Sequence, residues 1–495
     1  MSHQNFFRQR DYNWYILIAN LSFLLVWYLA NDGLAFWDDF TYLNFANQVN
    51  DGSFTITDNH FTSRVAMVYP VAFVIKFLGI NAFTITAFPF FCGVLILNLF
   101  LWLGNRYHHW LGILTSVLFI CDYRIITFIT HLFPEMSMAL FLFGALVAYD
   151  LTNRGDGDHR LLALITSGLI FLAFLTKMTV ILIGPLFLFL FVNDFWRKGK
   201  NKSYWLITVV LLVFFVLANG LWYREVYGDF FYRFSNISAN HEATSKTFFD
   251  KDSLMILKRL TYLPLKGFLS GGFFISLLFA MPALLKLKKG DWKLNSPEKL
   301  WPVAVLFILG TWWFMSTNWK YYSPMPVDMR HLTFLIPIML MAGGWYWIKT
   351  HLLSAIRYSK TKYLLLLFLL IPIYKILKSG DTNYRELEDV ITSHISSESK
   401  GNQVFTDGLT SYGHQYFYDF EEIETVFIWF SEMNGAKPNS GDYLLVNPAY
   451  LNERYHDSNN LESFKNQVVQ NGYQLIPISE GKVKLYQIQK SEFLN

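Results

Sequence analysis

Eleven long apolar runs decide what this chain can fold into. They lie at approximately Tyr12–Ala30, Phe83–Leu103, Trp110–Cys121, Pro134–Leu151, Leu161–Thr176, Val180–Phe195, Tyr204–Trp222, Gly267–Leu285, Trp301–Ser316, Leu332–Ile348 and Tyr363–Leu377. Crossing the hydrocarbon core of a bilayer takes about 20 predominantly apolar residues. A helix there satisfies every backbone group within its own segment. The composition agrees, with 53% hydrophobic residues and only 16% charged, against about 25% charged in soluble domains. The expected fold is therefore a polytopic α-helical membrane protein of about 11 transmembrane helices.

The net charge of +4 says little as a total, but its placement is informative. With the N-terminus in the cytoplasm, alternate loops must be cytoplasmic. These hold Arg106; Arg154 and Arg160; Arg197, Lys198, Lys200 and Lys202; Lys286, Lys288, Lys289, Lys293 and Lys299; and Lys349, Arg357, Lys360 and Lys362. The intervening connections are poorer in Lys and Arg, as the positive-inside rule requires. An odd helix count then puts the C-terminal segment outside. Arg8 and Arg10 precede the first run, and no small-residue cleavage site follows it, so that run reads as a retained anchor. Cys92 and Cys121 both lie in apolar segments and read as buried free thiols.

Three outward segments are long enough to build a site: 31–82, 223–266 and 319–331. From Ser379 onward the composition becomes that of a soluble domain. Tyr384–Ile395 reads as a helix, Gln403–Thr406 as a strand, and Gly408–Tyr418 as a loop and helix. Tyr443–Val446 reads as a strand, Leu461–Gln470 as a helix, and Tyr473–Ile478 with Val483–Gln487 as a closing pair of strands. The division expected is a transmembrane part over 1–378 and a small extracytoplasmic α/β domain over 379–495.

The stretch Trp37-Asp38-Asp39-Phe40-Thr41-Tyr42-Leu43-Asn44-Phe45-Ala46 follows the first span directly. Its apolar residues recur at roughly helical spacing, which predicts a short amphipathic helix in the interface. Carboxylates at a bilayer boundary are costly to desolvate and are kept for a task. One Asp suffices for an N-cap; two beside Trp37 favour function. The first outer segment also carries an amphipathic piece, Phe61 to Leu78, containing Arg64. Nucleotide chemistry is poorly supported, because the chain has no Gly-x-x-x-x-Gly-Lys loop, no strand-linked Gly-x-Gly-x-x-Gly and no His-Glu-x-x-His helix. A site on the outer face must then use a compound already activated, and a lipid-linked donor reached through the membrane plane fits that condition.

These residues resemble the GT-C glycosyltransferases, in particular the protein O-mannosyltransferase and aminoarabinose transferase branch. Asp38, Asp39, Tyr42 and Ala46 match the acidic first-loop motif. Phe133-Pro134-Glu135 opens a helix, Leu175-Thr176-Lys177 lies between two helices, and Met329-Arg330-His331 precedes a helix containing Pro337. Asp39 stands where Glu is common, Glu135 where relatives often have Asp, and Arg64 where the aminoarabinose branch has a phosphate-contacting Lys. The resemblance implies a bacterial inner-membrane enzyme that transfers a hexosyl or pentosyl group, with inversion, from a polyprenyl-phosphate donor to the hydroxyl of a lipid, glycan or protein acceptor. Membrane lipids are the expected surroundings and no nucleic acid is implied.

Such a reaction needs a carboxylate base at the hydroxyl and cations at the departing phosphate. Asp38 is the candidate base. Asp39 is assigned to orient the acceptor or to bind a divalent cation, and no other cofactor is implied. Glu135 is the third acidic candidate, with a favourable first-turn position as the alternative reading. Arg64 and Arg330 are the candidate phosphate clamps, against interfacial snorkelling. Lys177 either binds phosphate or pairs with an acid such as Glu135. Tyr42 and His331 are the candidates for positioning donor or acceptor, although a structural role for His331 is the commoner case. Rival readings are a glycan polymerase or ligase using a diphosphate carrier, a lipid or polysaccharide transporter, and a non-catalytic glycan-binding protein.

Overall fold

The computed structural model describes residues 9–31, 33–196, 201–245, 253–287, 294, 296–316, 322, 324–325, 327, 329–350, 370–378, 382–395, 402–421, 424–432, 436–452 and 458–491. In order, its helices up to residue 378 are α1 (Gln9–Ala30), α2 (Trp37–Asp51), α3 (Val65–Leu78), α4 (Ala82–Tyr107), α5 (His109–Ile120), α6 (Tyr123–Ile129), α7 (Glu135–Arg154), α8 (His159–Thr176), α9 (Gly184–Trp196), α10 (Lys202–Tyr227), α11 (Tyr232–Ser245), α12 (Ser253–Leu260), α13 (Leu263–Ser270), α14 (Phe274–Leu285), α15 (Pro297–Phe314), α16 (Leu335–Lys349) and α17 (Leu370–Lys378). Among the described residues six helical segments are long and apolar enough to cross a membrane, or seven if the bent pair α5–α6 counts as one. Of the remaining apolar runs, Trp301–Ser316 lies mostly on the 18-residue α15, and the others form shorter helices. The eleventh, Tyr363–Leu377, lies in part outside the described residues; its described end is α17.

Two runs read as single spans are broken, each for a local reason. Trp110–Cys121 ends at Ile120, where Asp122 accepts from the backbone N–H of Arg124 and Ile125 and so starts α6 at 66° to α5. Gly267–Leu285 is interrupted at Gly271-Gly272 between α13 and α14, and Gly is a poor residue for a helix interior. The run Val180–Phe195 opens on a 3-10 turn, Met178–Ile183, before α9.

Burial separates the centre of the bundle from its rim. In α7, 78% of the most apolar window is buried inside the protein, against 17% in α10. Leu206, Val210, Phe214, Leu217 and Leu221 accordingly stand exposed on α10, as a lipid-facing helix requires. One end of the bundle gathers basic groups. Arg154 pairs with Asp150 at 2.9 Å and lies over the rings of Tyr107 and Trp345, Arg106 approaches Asp156 at 3.7 Å, and Lys349 pairs with Glu298 at 2.5 Å.

The C-terminal part is a small α/β domain. Strands β1 (Gln403–Thr406), β2 (Val426–Trp429), β3 (Tyr443–Val446), β4 (Tyr473–Glu480) and β5 (Lys484–Lys490) make one sheet in the order β2-β1-β3-β5-β4. The first three are mutually parallel and β5 runs antiparallel to β3 and β4. Sequence periodicity does not reveal β2. It is four residues long, lies at the sheet edge and leaves Val426 54% exposed, so no inside–outside alternation develops.

A shared apolar core joins this domain to α2 and α3. Phe40, Tyr42, Leu43 and Met67 pack in one cluster with Tyr384, Leu387, Tyr416 and Leu445. The Tyr450 hydroxyl donates to the Leu34 carbonyl at 2.9 Å. Gly33 has φ +76° and lies so close to the Tyr384 ring that a Cβ there would approach Cδ1 to 2.0 Å. Only glycine meets both demands without strain.

Candidate functional site

The acidic pair opens α2, and its two members do different things. Phe36 is the extended N-cap residue and Asp39 the third residue of the helix. Asp39 Oδ2 accepts from the backbone N–H of Ala35 at 3.0 Å and of Phe36 at 3.1 Å, so it satisfies donors that a helix start leaves open. Its Oδ1 accepts from the Leu132 N–H at 2.8 Å, and His131 Nδ1 stands 3.5 Å from Oδ2. Asp39 is fully buried. It therefore ties α2 to the turn that precedes α7. The expected role of Asp39 is to orient an acceptor or hold a cation; here both of its oxygens accept from backbone donors. Among the described residues no three His, Cys, Asp or Glu side chains converge as metal ligands. Asp39→Ala leaves three backbone N–H groups without their acceptor. Each buried unmet donor costs about 1–3 kcal/mol, so a substantially lower melting temperature in detergent is the expected result. An unchanged one would show that water replaces the carboxylate.

Asp38 is different. It keeps 20% of its side chain exposed and meets Arg330 Nη1 at 3.0 Å. Burial pushes its pKa up, while Arg330 and then Arg64 pull it down less strongly, and Glu135 and Asp39 add to the rise. Arg330 stands on the 3-10 turn Met329–Leu332, with His331 next to it and half-buried. Behind Asp38, Glu135 begins α7, and its Oε1 accepts from Lys177 Nζ at 2.6 Å; the other oxygen, Oε2, is buried without a hydrogen-bond partner. Lys177 sits at the break between α8 and the following 3-10 turn, where the chain is extended, and it is itself buried. Pairing with Glu135 was one of its two expected roles. Arg64 precedes α3, lies 4.4 Å over the Phe61 ring and donates to the Tyr42 hydroxyl. Burial drives the Tyr42 phenol pKa above its ordinary value in spite of Arg64.

Asp38, Glu135, Arg64, Lys177, Arg330 and Tyr42 thus come from five separate stretches of chain and share one electrostatic neighbourhood. Arg233 on α11 joins them unforeseen. It is 2% exposed, it lies 4.4 Å over the Phe174 ring, and its Nε and Nη1 are buried without hydrogen-bond partners. Burial lowers its pKa to about 10, with Arg64 contributing in the same direction. Sequence patterning places Arg233 in a polar loop, where a solvated arginine is the default, so no signal marks it.

An apolar cavity of about 620 Å³ is lined by chain neighbours of some of these cations. Its walls include Val65 and Tyr69 of α3, Leu175 of α8, and Trp222 and Tyr223 of α10. Val65 follows Arg64 in the chain, Leu175 lies between Phe174 and Lys177, and Tyr223 interacts electrostatically with Arg233. The volume lies within the usual range for small-molecule and cofactor sites.

No protein-family model matches the chain, and no curated protein sequence matches it either. Solved structures do. The crystal structure of ArnT from Cupriavidus metallidurans bound to undecaprenyl phosphate matches with a TM-score of 0.56 at 10% identity, over 95% of this chain and 97% of that one. The same protein in the apo state matches with a TM-score of 0.54 at 10% identity, over 96% and 98%. What such a likeness carries is architecture from end to end: the chain has the fold of those ArnT structures.

Proposed function

We propose that the protein is a membrane glycosyltransferase of the inverting type, using a polyprenyl-phosphate sugar as donor. One observation carries the reading above all: a partly exposed carboxylate, Asp38, pairs with Arg330 and shares its electrostatic neighbourhood with Arg64 and with Glu135, the partner of Lys177. The ArnT crystal structure of similar fold holds undecaprenyl phosphate, which supports the same class of lipid here. A diphosphate-linked donor and a transporter remain the rivals.

In this reaction the acceptor oxygen attacks C1 of the sugar, its proton passes to Asp38, and the bond from C1 to the phosphate oxygen breaks. The polyprenyl phosphate leaves with one more negative charge, which guanidinium and ammonium donors stabilise. Arg330 and Arg64 face the phosphate, and Lys177, held by Glu135, adds charge from behind. Arg233 offers the three N–H donors of its Nε and Nη1. The cavity takes the part of the prenyl chain nearest the phosphate. Asp39 and His131 position α2, and Tyr42 positions Arg64. His331 lies beside Arg330 at the sugar. The Lys and Arg distribution supports an orientation with this face outside the cytoplasm, and the family resemblance implies a bacterial inner membrane. Residues 1–378 form the catalytic part and 379–495 a domain over it.

Purified protein in nanodiscs should transfer sugar from one of a panel of polyprenyl-phosphate sugars to a cell-envelope extract. Transfer only from diphosphate-linked glycans would replace this reading by the polymerase or ligase. Transfer from neither, with lipid moved across the bilayer, would replace it by the transporter.

The same assay gives a pH signature. A base must be ionised to work, so activity falls as pH drops through the pKa of Asp38. Burial raises that pKa, so the acid limb should lie above the ordinary carboxylate value of about 3.9. Donor phosphate brings further negative charge, which raises it again. The limb in kcat, which reports the bound state, should therefore lie at higher pH than the limb in kcat/KM. Coincident limbs near pH 4 would remove Asp38 as the base.

A further inference from the structure

The three parallel strands of the C-terminal sheet aim their carboxyl ends toward α2. Trp429 ends β2, Tyr412 lies on the Gly408–Gly413 helix that follows β1, and Tyr450, beyond β3, reaches the Leu34 carbonyl. From β1 the chain goes to β2 on one side and then crosses back to β3 on the other side of β1. In open α/β sheets ligands bind outside the carboxyl ends of the strands, at the point where the strand order reverses. Here that point faces the segment that bears Asp38.

The residues meeting there are aromatic. The Trp37 and Tyr412 rings stand 4.6 Å apart at 47°, and those of Trp37 and Trp429 stand 6.2 Å apart at 58°. The hydroxyls of Thr41 and Tyr412 hydrogen-bond at 3.1 Å, which fixes Tyr412 against α2. Trp429 lies flat on Gly408, where a Cβ would meet its Cε2 at 2.7 Å, so its place too is set by the backbone. Part of this cluster nevertheless stays open to solvent. Tyr412 is 39% exposed, and Trp37 and Trp429 are half-buried. Trp37 immediately precedes Asp38.

We infer that Trp37, Tyr412 and Trp429 form an aromatic lip that binds a pyranose ring, presenting one of its hydroxyls to Asp38. The C-terminal domain then supplies half of the acceptor site. A pyranose packs its C–H face on an aromatic ring while its hydroxyls stay free to hydrogen-bond, which matches an amphipathic lip beside a carboxylate. That the ring belongs to the acceptor rests on the transferase reading above; that the lip binds a pyranose rests on the lip itself.

Saturation-transfer NMR on the full chain in nanodiscs, free of glycosidic detergent, tests the lip without turnover. The probes are the methyl glycosides of glucose, galactose, mannose and N-acetylglucosamine, with a Ser/Thr peptide alongside. Transfer to the ring protons of at least one glycoside is expected in the wild type. Tyr412→Ala should weaken that binding about tenfold, whereas Tyr412→Phe should stay near wild type. The melting temperature of each variant checks that the fold persists; Tyr412 is exposed enough for truncation to be tolerated. No glycoside signal in the wild type, a peptide signal in its place, or a glycoside signal that Tyr412→Ala leaves intact overturns the inference. Binding of undecaprenyl phosphate, followed in the same samples, tests the donor side separately. Lipid binding without glycoside binding sinks only the lip, and the converse sinks only the transferase reading.

Discussion

Asp38→Asn is expected to slow sugar transfer by about 10²–10⁴-fold, the usual contribution of a positioned general base. The substitution removes the proton acceptor and keeps the volume. It does not disturb the start of α2, because the capping contacts belong to Asp39. Arg330 loses its ion pair but is 36% exposed, so water can solvate it. The variant should therefore fold as the wild type does, with an unchanged melting temperature. It should bind undecaprenyl phosphate at least as well, since Arg330 no longer has a carboxylate to give up. Rate and affinity thus move apart, which a merely structural Asp38 would not produce. An Asp38→Asn protein that transfers at the wild-type rate would place the base elsewhere.

The second large effect is on stability. Lys177 and Glu135 are both buried and 2.6 Å apart. Removing one member of a buried pair leaves the other charge uncompensated, at a cost of about 3–5 kcal/mol. Lys177→Met should accordingly lower the melting temperature well below that of Asp38→Asn. The double substitution Lys177→Met with Glu135→Gln removes both charges and should recover most of the loss, because replacing a buried pair by groups of similar volume is often near neutral. It should not recover transfer, since the phosphate has lost a cation. If the double variant is as unstable as the single, the pair is not what holds α7 and α8 together at this end. If it is stable and active, Lys177 has no part in binding phosphate.

The charged residues at stake show where reading the sequence works. Asp38, Glu135, Lys177 and Arg330 stand out because an ionisable group at the edge of an apolar run is costly unless it has a task or a partner. Arg233 does not stand out. It lies in a polar segment where nothing about its neighbours in the chain forecasts burial, and only the packing of α11 against Phe174 makes it a buried cation. The division of labour between Asp38 and Asp39 is equally invisible. Two adjacent carboxylates read alike until the turn at His131 and Leu132 arrives from 93 residues away to claim one of them.

The sequence by itself determined the membrane-embedded helical architecture, the C-terminal α/β domain and which charged residues deserve scrutiny. All three follow from local quantities: the length of apolar runs, their periodicity and the cost of charge at their ends. It did not determine where α5 and α6 bend apart, the edge strand β2, or the meeting of Trp37 with Tyr412 and Trp429. The last of these depends on contacts between segments hundreds of residues apart, which leave no periodic trace in either of them; the bend follows from Asp122 capping α6, and β2 from its pairing with β1. The tertiary structure alone decided that Asp39 holds the helix while Asp38 pairs with Arg330, because only the fold brings in the donors that occupy one and the cation that meets the other.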